Sequence, residues 1–361
     1  GAYETRTETS VIPTSISCGG GRVFDPVRKM KRILCVLSAA LCLFALVSCA
    51  PVQQTSEIFA MDTFIIQTAY ADSGDALTQN NEMIRRLEGE MSRTIETSDV
   101  CRANAAPGQD TEVSEETAEV LAAALDAAED TGGAFSPALG SVIAAWGFGT
   151  EGAHVPSETE LASALNQADY RTVTLSGNTV NTGGAMLDLG GVVKGYALDQ
   201  AAENLKANGV QSAIISFGGS IYAVGEKPDG SSYKVGIRDP EGGENDYMAT
   251  IELNGRFVST SGTYERGFSE DGVYYHHVLD PATGFPVDNG LVAVTVLSDS
   301  GIRSDIYSTA LLVMGAEKGA AFAEEHGIDA LFLTADKHII TTDGFAETYG
   351  LTVRNGAYSL G

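Results

Sequence analysis

Basic residues are scarce in this sequence. Its 361 residues include 22 Lys and Arg against 48 Asp and Glu, which gives a formal net charge of −26. A surface this acidic repels the phosphate backbone of nucleic acids, so the composition argues against a nucleic-acid partner. A phosphate-bearing ligand would have to be held by local groups, such as backbone N–H donors, a lysine, or a metal cation that the acidic chain could recruit.

Cysteine is scarce as well. Of the five cysteines, four lie in the first 49 residues, and only Cys101 lies beyond them. A single thiol cannot form an intrachain disulfide, and there is no CxxC pair to suggest thiolate ligands for a metal. The fold must therefore be stabilised by a hydrophobic core, for which roughly 310 residues are enough.

The apolar run from Ile33 to Val47 is too short to span a bilayer comfortably, which takes roughly 20 apolar residues. It follows Met30, Lys31 and Arg32, which is the order of an export signal. We therefore expect residues 1–29 to be a non-native or mis-started leader and residues 30–48 to be a signal peptide. A buried core helix is the alternative reading of the same run.

The four residues LVSC at the end of this run, residues 46–49, resemble the lipobox of bacterial lipoproteins. In a lipobox the cysteine is lipidated, so Cys49 is the expected lipidation site and residues 49–57 a tether. The chain would then be extracytoplasmic and anchored by lipid to the bacterial cell membrane.

Residues 58–355 carry both strand and helix patterns. Runs of β-branched strands are interrupted by helical segments, which favours an α+β fold with mixed or antiparallel sheets and flanking helices over a doubly wound parallel sheet. We expect one domain made of two intimate subdomains. The predicted strands include residues 61–70, 171–175 and 274–279, and the predicted helices include residues 82–91, 193–205 and 304–314.

The stretch Asp188–Asp199, DLGGVVKGYALD, has the pattern of an anion site. Gly190 and Gly191 allow a tight turn and close backbone approach to a ligand. The helix predicted to follow directs its free N–H groups at that turn, and Lys194 adds a charge that pairs with phosphate. The alternative is a Gly-rich turn that packs for structure alone, with Lys194 in solvent.

Asp305, Ser308 and Thr309 lie at helical spacing, so their oxygens share one face of a helix. A carboxylate with hydroxyl oxygens suits Mg²⁺, which takes its other ligands from water and substrate phosphates. Asp305 could equally be a helix N-terminal charge or cap, with Thr309 bonding back into its own helix.

Two adjacent histidines precede a turn in HHVLDPATGFP. His277 is the best candidate for a general base, because an imidazole titrates near neutral pH. His276 is expected to face the other way, since side chains alternate along a strand. A histidine satisfied by its own hydrogen bonds is the alternative for His277.

Two further segments carry polar or glycine residues at strand ends. Gly218 and Gly219 lie between two apolar strands, where glycine is favoured if a ligand or another backbone comes close. Tyr264 and Arg266 offer an aromatic ring and a guanidinium together in SGTYER, although they could also be a core aromatic and a surface ion pair.

Eight motifs, taken in order, resemble those of the ApbE family, the FAD:protein FMN transferases. They are MDT at Met61, EMS with SDV, GGAFSPALG leading to WGFG, DLGGVVKGYALD, the glycine pair of SFGGS, SGTYER, HHVLDPATGFP and SDIYSTALLVMG. Any one of them would be a weak signal, whereas the ordered set covers nearly all of residues 58–351. The resemblance implies an ApbE-like α+β fold.

The reaction that this resemblance implies is a Mg²⁺-dependent cleavage of the FAD pyrophosphate. FMN passes to a Thr or Ser hydroxyl of an acceptor protein as a phosphoester, and AMP leaves. FAD would then be the substrate, Mg²⁺ the cofactor, and a redox protein with a flavinylation motif the acceptor. A lipoprotein signal is common in that family, which agrees with the reading of Cys49.

The resemblance also implies roles by motif position. Asp305 and Thr309 would hold Mg²⁺, with Gly191 near it and Ser308 where some members supply a second carboxylate. His277 would take the proton of the acceptor hydroxyl. The residues implied to contact FAD are Met61, Ala134, Phe135, Ser136, Asp188, Lys194, Gly218, Gly219, Tyr264, Arg266 and Val278.

Three positions depart from the family pattern. Ser136 stands where the family usually has an aspartate, Thr94 where some members have a tyrosine, and Ser220 where an acidic or amide residue is usual. These departures concern the details of FAD contact more than the reaction.

Two other functions remain open from the residues alone. The same metal and base would also activate water, which would make the chain a Mg²⁺-dependent FAD pyrophosphatase giving FMN and AMP. A lipoprotein that binds flavin without turnover is the second alternative.

Overall fold

The computed structural model describes residues 52–70, 74–243 and 245–361. The predicted leader, the signal peptide and Cys49 lie outside these residues. The described residues belong to one compact unit, Pro51–Gly361. None of their helices has the length and apolar character that crossing a membrane requires.

The strands of the described residues are β1 Gln53–Ala60, β2 Thr63–Tyr70, β3 Asp110–Glu112, β4 Thr174–Ser176, β5 Thr179–Asn181, β6 Ala213–Phe217, β7 Ser220–Val224, β8 Tyr233–Arg238, β9 Tyr247–Leu253, β10 Arg256–Gly262, β11 Gly267–Glu270, β12 Val273–His276, β13 Leu291–Ser298, β14 Asp329–Thr334, β15 His338–Thr341, β16 Thr352–Val353 and β17 Ser359–Leu360. The helices are α1 Gly74–Met91, α2 Asp99–Ala105, α3 Glu115–Asp130, α4 Gly140–Trp146, α5 Glu158–Leu165, α6 Val193–Ala207, α7 Gly301–Met314, α8 Ala316–Glu325 and α9 Phe345–Thr348.

A nine-stranded sheet organises the described residues, in the order β1-β2-β6-β7-β10-β13-β14-β15-β17. Its neighbours pair antiparallel except for β15 and β17, which are parallel. The interior strand β13 is apolar and almost wholly buried, as expected for a strand covered on both faces. The predicted α+β class with a mixed sheet and flanking helices is confirmed.

The two faces of this sheet are covered differently. Helices α1, α6 and α7 pack on one face, where the larger hydrophobic cluster lies. The small sheet β16-β9-β8 contributes to a second cluster, which includes Val235 and Ile251 of that sheet and Val258 of β10. Successive residues of β10 alternate between the two faces, so Ser259 and Ser261 point toward α7.

A third, aromatic cluster fixes the turn that follows the two histidines. The Trp146 indole donates to the Gly284 carbonyl at 2.7 Å. Its ring lies 5.4 Å from that of Tyr275 and 5.5 Å from that of Phe285. The Gly-rich WGFG loop is therefore packed against the HHVLDPATGFP segment.

Three predictions of local structure were wrong in part. Residues 53–57, expected as tether, form the first half of β1, whose polar residues pair in register with β2 at the edge of the sheet. Residues 171–175 begin in a 3₁₀ turn that Asp169 caps, and only then enter β4. The strand predicted at 274–279 ends at His276, where pairing with β11 stops.

Candidate functional site

Helices α6 and α7 cross at two glycines. A Cβ on Gly195 would lie 2.3 Å from the carbonyl oxygen of Gly301, and one on Gly301 would lie 2.4 Å from the carbonyl oxygen of Gly195. This close approach lets the Gly195 N–H donate to Asp305 Oδ2 at 3.0 Å. The Asp188–Asp199 stretch and the Asp305 helix, which are far apart in sequence, therefore meet at one point.

The close crossing of α6 and α7 predicts that a methyl group added at Gly195 destabilises the fold. Gly195→Ala is expected to lower the free energy of unfolding by about 1–3 kcal/mol, because the methyl overpacks against backbone that cannot move freely. It should also reduce activity, since the helices that carry Lys194 and Asp305 must separate. Urea denaturation checks the first effect. Gly89→Ala is the matched control: it also lies in a helix and its Cβ would meet nothing within 4 Å, so it should be neutral or stabilising.

Asp305 is a buried carboxylate, with 6% of the residue exposed. It lies in the second turn of α7, where Ser300 is the N-cap, so the alternative that Asp305 caps the helix is wrong. Besides Gly195, Oδ1 accepts from the Ser220 hydroxyl at 3.3 Å. Burial raises the pKa of this carboxyl above its usual range, while the Lys194 charge opposes the rise.

Hydroxyl groups surround Asp305 on β10 and α7. Ser308 Oγ donates to the Asp305 carbonyl at 2.9 Å, and Thr309 Oγ1 donates to the same carbonyl at 3.4 Å. Both hydroxyls also lie within hydrogen-bond distance of Ser261 Oγ, at 2.8 and 3.0 Å. The predicted metal ligands of α7 thus lie together, and Thr309 also makes the bond back into its own helix that was the alternative.

A second carboxylate fixes the start of α7. Asp199 of α6 accepts from the N–H groups of Gly301 at 2.6 Å and Ile302 at 2.9 Å, and from the Ser300 hydroxyl at 3.2 Å. It therefore satisfies N–H groups that a helix leaves free at its N-terminus. Because α7 carries Asp305, Asp199 sets the position of Asp305 relative to Lys194.

Removing this cap has a measurable consequence. Asp199→Ala is expected to lower the free energy of unfolding by about 1–2 kcal/mol, the range for loss of a helix cap. Denaturation in urea measures it. The exposed neighbour Asp299 offers a control, since Asp299→Ala should change stability by less than about 0.5 kcal/mol. Equal effects in the two variants would show that the cap does not stabilise α7.

Lys194 lies in the first turn of α6 and is partly buried. Among the described residues its ammonium makes no ion pair within 4 Å, although its charge stabilises the Asp305 carboxylate. The same charge helps to lower the pKa of His277. Lys194 is therefore near both the predicted metal ligand and the predicted base.

His277 leaves the end of β12 and turns toward Arg266. Its ring Nδ1 lies 3.2 Å from the Arg266 carbonyl oxygen, and its backbone N–H donates to that oxygen at 3.0 Å. Since a carbonyl can only accept, Nδ1 carries the proton and Nε2 keeps its lone pair. Burial, with the charges of Arg266 and Lys194, lowers the pKa of His277 to about 4. The imidazole is thus a neutral proton acceptor at physiological pH.

His276 points elsewhere. It is buried, with Nε2 3.0 Å from the Val287 carbonyl oxygen, and burial lowers its pKa. The two histidines therefore have different partners, as predicted, although β12 ends between them.

Asp188 is held in the glycine turn from two sides. Oδ1 accepts from the Gly190 N–H at 2.8 Å, and Oδ2 accepts from Arg93 Nε at 2.8 Å. The next glycine, Gly191, lies against Phe135, because a Cβ there would be 3.3 Å from that ring. Arg93 and Phe135 therefore both contact the glycine turn that precedes Lys194.

Met61, Gly218 and Gly219 lie at neighbouring turns of the sheet. Gly218 has φ +65° in the two-residue turn between β6 and β7, and its Cβ would lie 2.7 Å from Thr63 Oγ1. The Met61 N–H donates to Glu88 Oε1 at 2.7 Å. Arg266 donates to the Asp62 carbonyl at 2.8 Å, which joins this edge to the His277 segment.

Four other predicted FAD contacts are less closely tied to Asp305. Tyr264 packs with the second hydrophobic cluster and beneath the Arg238 guanidinium, 5.4 Å from the ring centre. Val278 is buried in the larger cluster. Ala134 and Ser136 flank Phe135, where Ser136 Oγ accepts from the Ala138 N–H. The roles assigned to these side chains stay predictions.

The donor set suits a hard cation. The buried Asp305 carboxylate has no lysine or arginine within 4 Å among the described residues, and the Ser220 hydroxyl donates to it. The hydroxyls of Ser308 and Thr309 bond to the backbone carbonyl of the same residue. No group of three His, Cys, Asp or Glu side chains in the part of the chain that the structure describes could enclose a metal. Mg²⁺ does not require such a group, because substrate phosphates and water supply its remaining ligands.

Sequence reasoning missed three sets of residues. Asp199 lies four residues after Gly195, so helical spacing was a signal for it. Arg93 is 95 positions from Asp188 and gave no local signal. The buried hydroxyls of Ser220, Ser259 and Ser304 form a hydrogen-bonded chain, in which Ser259 and Ser304 are 2.9 Å apart. This chain depends on the pairing of β7 with β10, which no local pattern indicates.

Comparison with known proteins identifies the family. The model of the ApbE family matches residues 61–332. A FAD:protein FMN transferase of Treponema pallidum is 37% identical over 246 residues, 63% of this chain and 68% of the relative. Another, of Vibrio cholerae, is 32% identical over 289 residues, 79% of this chain and 85% of the relative.

Solved structures agree. The flavinyl transferase ApbE of Pseudomonas stutzeri has a TM-score of 0.74 and 33% identity, and the match covers 84% of this chain and 98% of that chain. The ApbE protein of Thermotoga maritima has a TM-score of 0.76 and 32% identity, with 82% and 99% covered. On the strength of a family match over most of its length and of its fold, this chain belongs to the ApbE family.

Proposed function

We propose that this protein is an FAD:protein FMN transferase. A Ser or Thr hydroxyl oxygen of an acceptor protein attacks the FMN phosphorus of FAD. The bond from that phosphorus to the bridging oxygen breaks, AMP leaves, and a phosphoester joins FMN to the acceptor. The hydroxyl proton passes to His277 Nε2, which the bond from Nδ1 to Arg266 leaves free to accept it.

The observation that carries this proposal is the contact between α6 and α7, where the Gly195 N–H, one residue after Lys194, donates to Asp305 Oδ2 at 3.0 Å. The Lys194 charge favours the ionised Asp305 carboxylate and the neutral His277 ring. A pyrophosphate bound at the N-terminus of α6 would meet the Lys194 ammonium, which has no ion-pair partner within 4 Å among the described residues. The N–H groups of Val193 and Gly195 are already bonded there, to the Leu189 carbonyl and to Asp305 Oδ2. Phosphoryl transfer needs positioning and charge neutralisation more than covalent catalysis. Lys194, a metal at Asp305 and the base His277 are groups of the kind that this reaction requires.

The residues that would hold Mg²⁺ are Asp305, Thr309 and the Gly191 carbonyl, with Ser308 beside them. When bound, Mg²⁺ would supply neutralising charge at the pyrophosphate oxygens. The role of this chain is to keep one carboxylate in place through Gly195 and Ser220. The remaining contacts to FAD are proposed for the residues of the two glycine turns and for Met61 and Phe135.

We also propose that Cys49 anchors the protein by lipid on the extracytoplasmic side of the membrane. Because β1 begins at Gln53, the tether would be only residues 49–52. The acceptor would then be a redox protein at the same membrane surface.

FAD hydrolysis is the second candidate function. His277 is only partly buried, so water can reach it when no acceptor is bound. The same base would then deprotonate water and release FMN and AMP.

A single experiment separates these functions. The protein is incubated with FAD and Mg²⁺, with and without the flavin-acceptor proteins of the Vibrio cholerae and Treponema pallidum relatives. Transfer predicts FMN bound to the acceptor and AMP in equal amount. Free FMN in both incubations would instead identify a hydrolase, and intact FAD in both would identify a binding protein.

A further inference from the structure

The β1–β2 hairpin exposes a group of large apolar side chains next to its tip. Phe59, Phe64 and Ile66 are 63%, 60% and 43% exposed, and we name these three residues the hairpin patch. Phe59 and Phe64 pair across the two strands with their ring centres 5.3 Å apart. Single exposed apolar residues are common, whereas a contiguous group of this kind marks a surface that another molecule covers.

The hairpin patch lies on the face of the large sheet that the second hydrophobic cluster covers elsewhere. Along β2, Ile65 and Ala69 point into the larger core, while Phe64 and Ile66 point to the opposite face. Farther along that face, Tyr70 packs with the second hydrophobic cluster. The second hydrophobic cluster therefore covers this face of the hairpin at Tyr70 but not at its tip, where Phe59 and Phe64 are exposed.

The tip of the hairpin is held in a costly conformation. Met61 and Asp62 form its two-residue turn with φ of 51° and 57°. Such a turn is usually built from Asn-Gly, because other side chains are strained at positive φ. Glu88 accepts from the Met61 N–H and Arg266 donates to the Asp62 carbonyl, so the turn is fixed from two sides. Backbone strain that neighbours maintain is characteristic of functional sites.

Arg266 joins this tip to the proposed base. Its guanidinium holds Asp62, and its carbonyl accepts from both the backbone N–H and the ring of His277. Arg266 therefore joins the base to the turn that the two phenylalanines of the patch flank. A protein whose hydroxyl reaches His277 must come to this edge of the molecule.

We propose that the acceptor protein docks on the hairpin patch, with an apolar side chain near its target hydroxyl seated on the two phenylalanines. This inference rests on the proposed transferase function and names where its protein substrate binds. Two phenylalanines of about 200 Å² each and one isoleucine, partly exposed, present roughly 300 Å². A second copy of this chain would need about 800 Å² per partner, so the patch fits one segment of an acceptor better than a stable dimer.

The test uses the double variant Phe59→Ser/Phe64→Ser. Leu360→Ser is the matched control, because Leu360 is 46% exposed on β17 at the opposite edge of the same sheet. The acceptor proteins of the Vibrio cholerae and Treponema pallidum relatives serve as substrates. We expect the KM for acceptor to rise about tenfold or more, while kcat at saturating acceptor, FAD affinity and melting temperature stay as in the wild type. The control should match the wild type throughout.

Other outcomes would overturn the proposal in distinguishable ways. An unchanged KM for acceptor removes the patch from acceptor docking and leaves the transferase function intact. A dimer in the wild type that the double variant loses, with KM unchanged, assigns the patch to a second copy. Lost binding to anionic lipid vesicles with unchanged KM assigns it to the membrane. A wild type that modifies no acceptor contradicts the transferase function itself, whether it hydrolyses FAD or leaves it intact.

Discussion

Replacing His277 with alanine is expected to slow FMN transfer by about 100-fold or more, the usual contribution of a general base. The reason is the bond from Nδ1 to the Arg266 carbonyl, which leaves Nε2 as an oriented acceptor. FAD affinity should change little, because the proposed role of the imidazole is to accept the acceptor's proton rather than to bind the pyrophosphate. Single-turnover rates and FAD titration measure the two effects separately.

The dependence of kcat/KM on pH is a second test of His277 as the base. Since burial and nearby positive charges lower the pKa of His277 to about 4, the ring stays neutral down to that pH. The contribution of His277 to kcat/KM should therefore be level from about pH 8 to pH 5 and fall as the ring gains a proton below that range, separately from any loss caused by protonation of Asp305. The fall due to His277 should be missing in His277→Ala.

A matched histidine tests the specificity of this effect. His154 is exposed and hydrogen-bonded to the nearby Gly152 carbonyl, so His154→Ala should leave the transfer rate unchanged. If His277→Ala retained the wild-type rate, another group would be the base and the role given to Nε2 would be wrong.

Asp305→Asn should lower kcat/KM on the order of 1,000-fold, since several kcal/mol of charge stabilisation depend on one carboxylate. The amide keeps an acceptor for the Gly195 N–H, so the crossing of α6 and α7 is preserved. Activity and FAD binding are both measured over a range of Mg²⁺ concentrations. The variant should lose the response of FAD affinity to Mg²⁺ as well as the activity.

Asp305→Asn should lower activity without lowering the free energy of unfolding. Burial of the Asp305 carboxylate raises its pKa, which means that the folded state disfavours the charge. Removing the charge should therefore leave the free energy of unfolding unchanged or increase it, a trade-off typical of functional sites. Asp299→Asn, on an exposed neighbour, should change neither property. Full Mg²⁺-dependent activity in Asp305→Asn would remove Asp305 from the metal site.

Much of the site could be predicted because its parts are local. The glycine turn, Lys194 and the helix after it occupy one stretch, and the oxygens of Asp305 and Thr309 are ordered by the period of one helix. Such groups need only local geometry to be recognised. The motifs that resemble the ApbE family then indicated which of these residues act together.

The rest depended on contacts between distant segments. The ion pair between Arg93 and Asp188 forms only when α1 and the glycine turn are both in place. The β1 strand carries few apolar residues in its first half, so only pairing with β2 shows that it is a strand. The positive φ of Met61 and Asp62 is likewise set by Glu88 and Arg266, which no local pattern indicates.

The most direct measurement is the intact mass of an acceptor protein after incubation with FAD, Mg²⁺ and this enzyme, with His277→Ala run alongside. The wild type should add the mass of FMN less one water to a single Thr or Ser, with one AMP released for each acceptor modified, and the variant should add almost none in the same time. An acceptor of unchanged mass while FMN accumulates in solution would contradict transfer, and equal modification by both proteins would contradict the site as described.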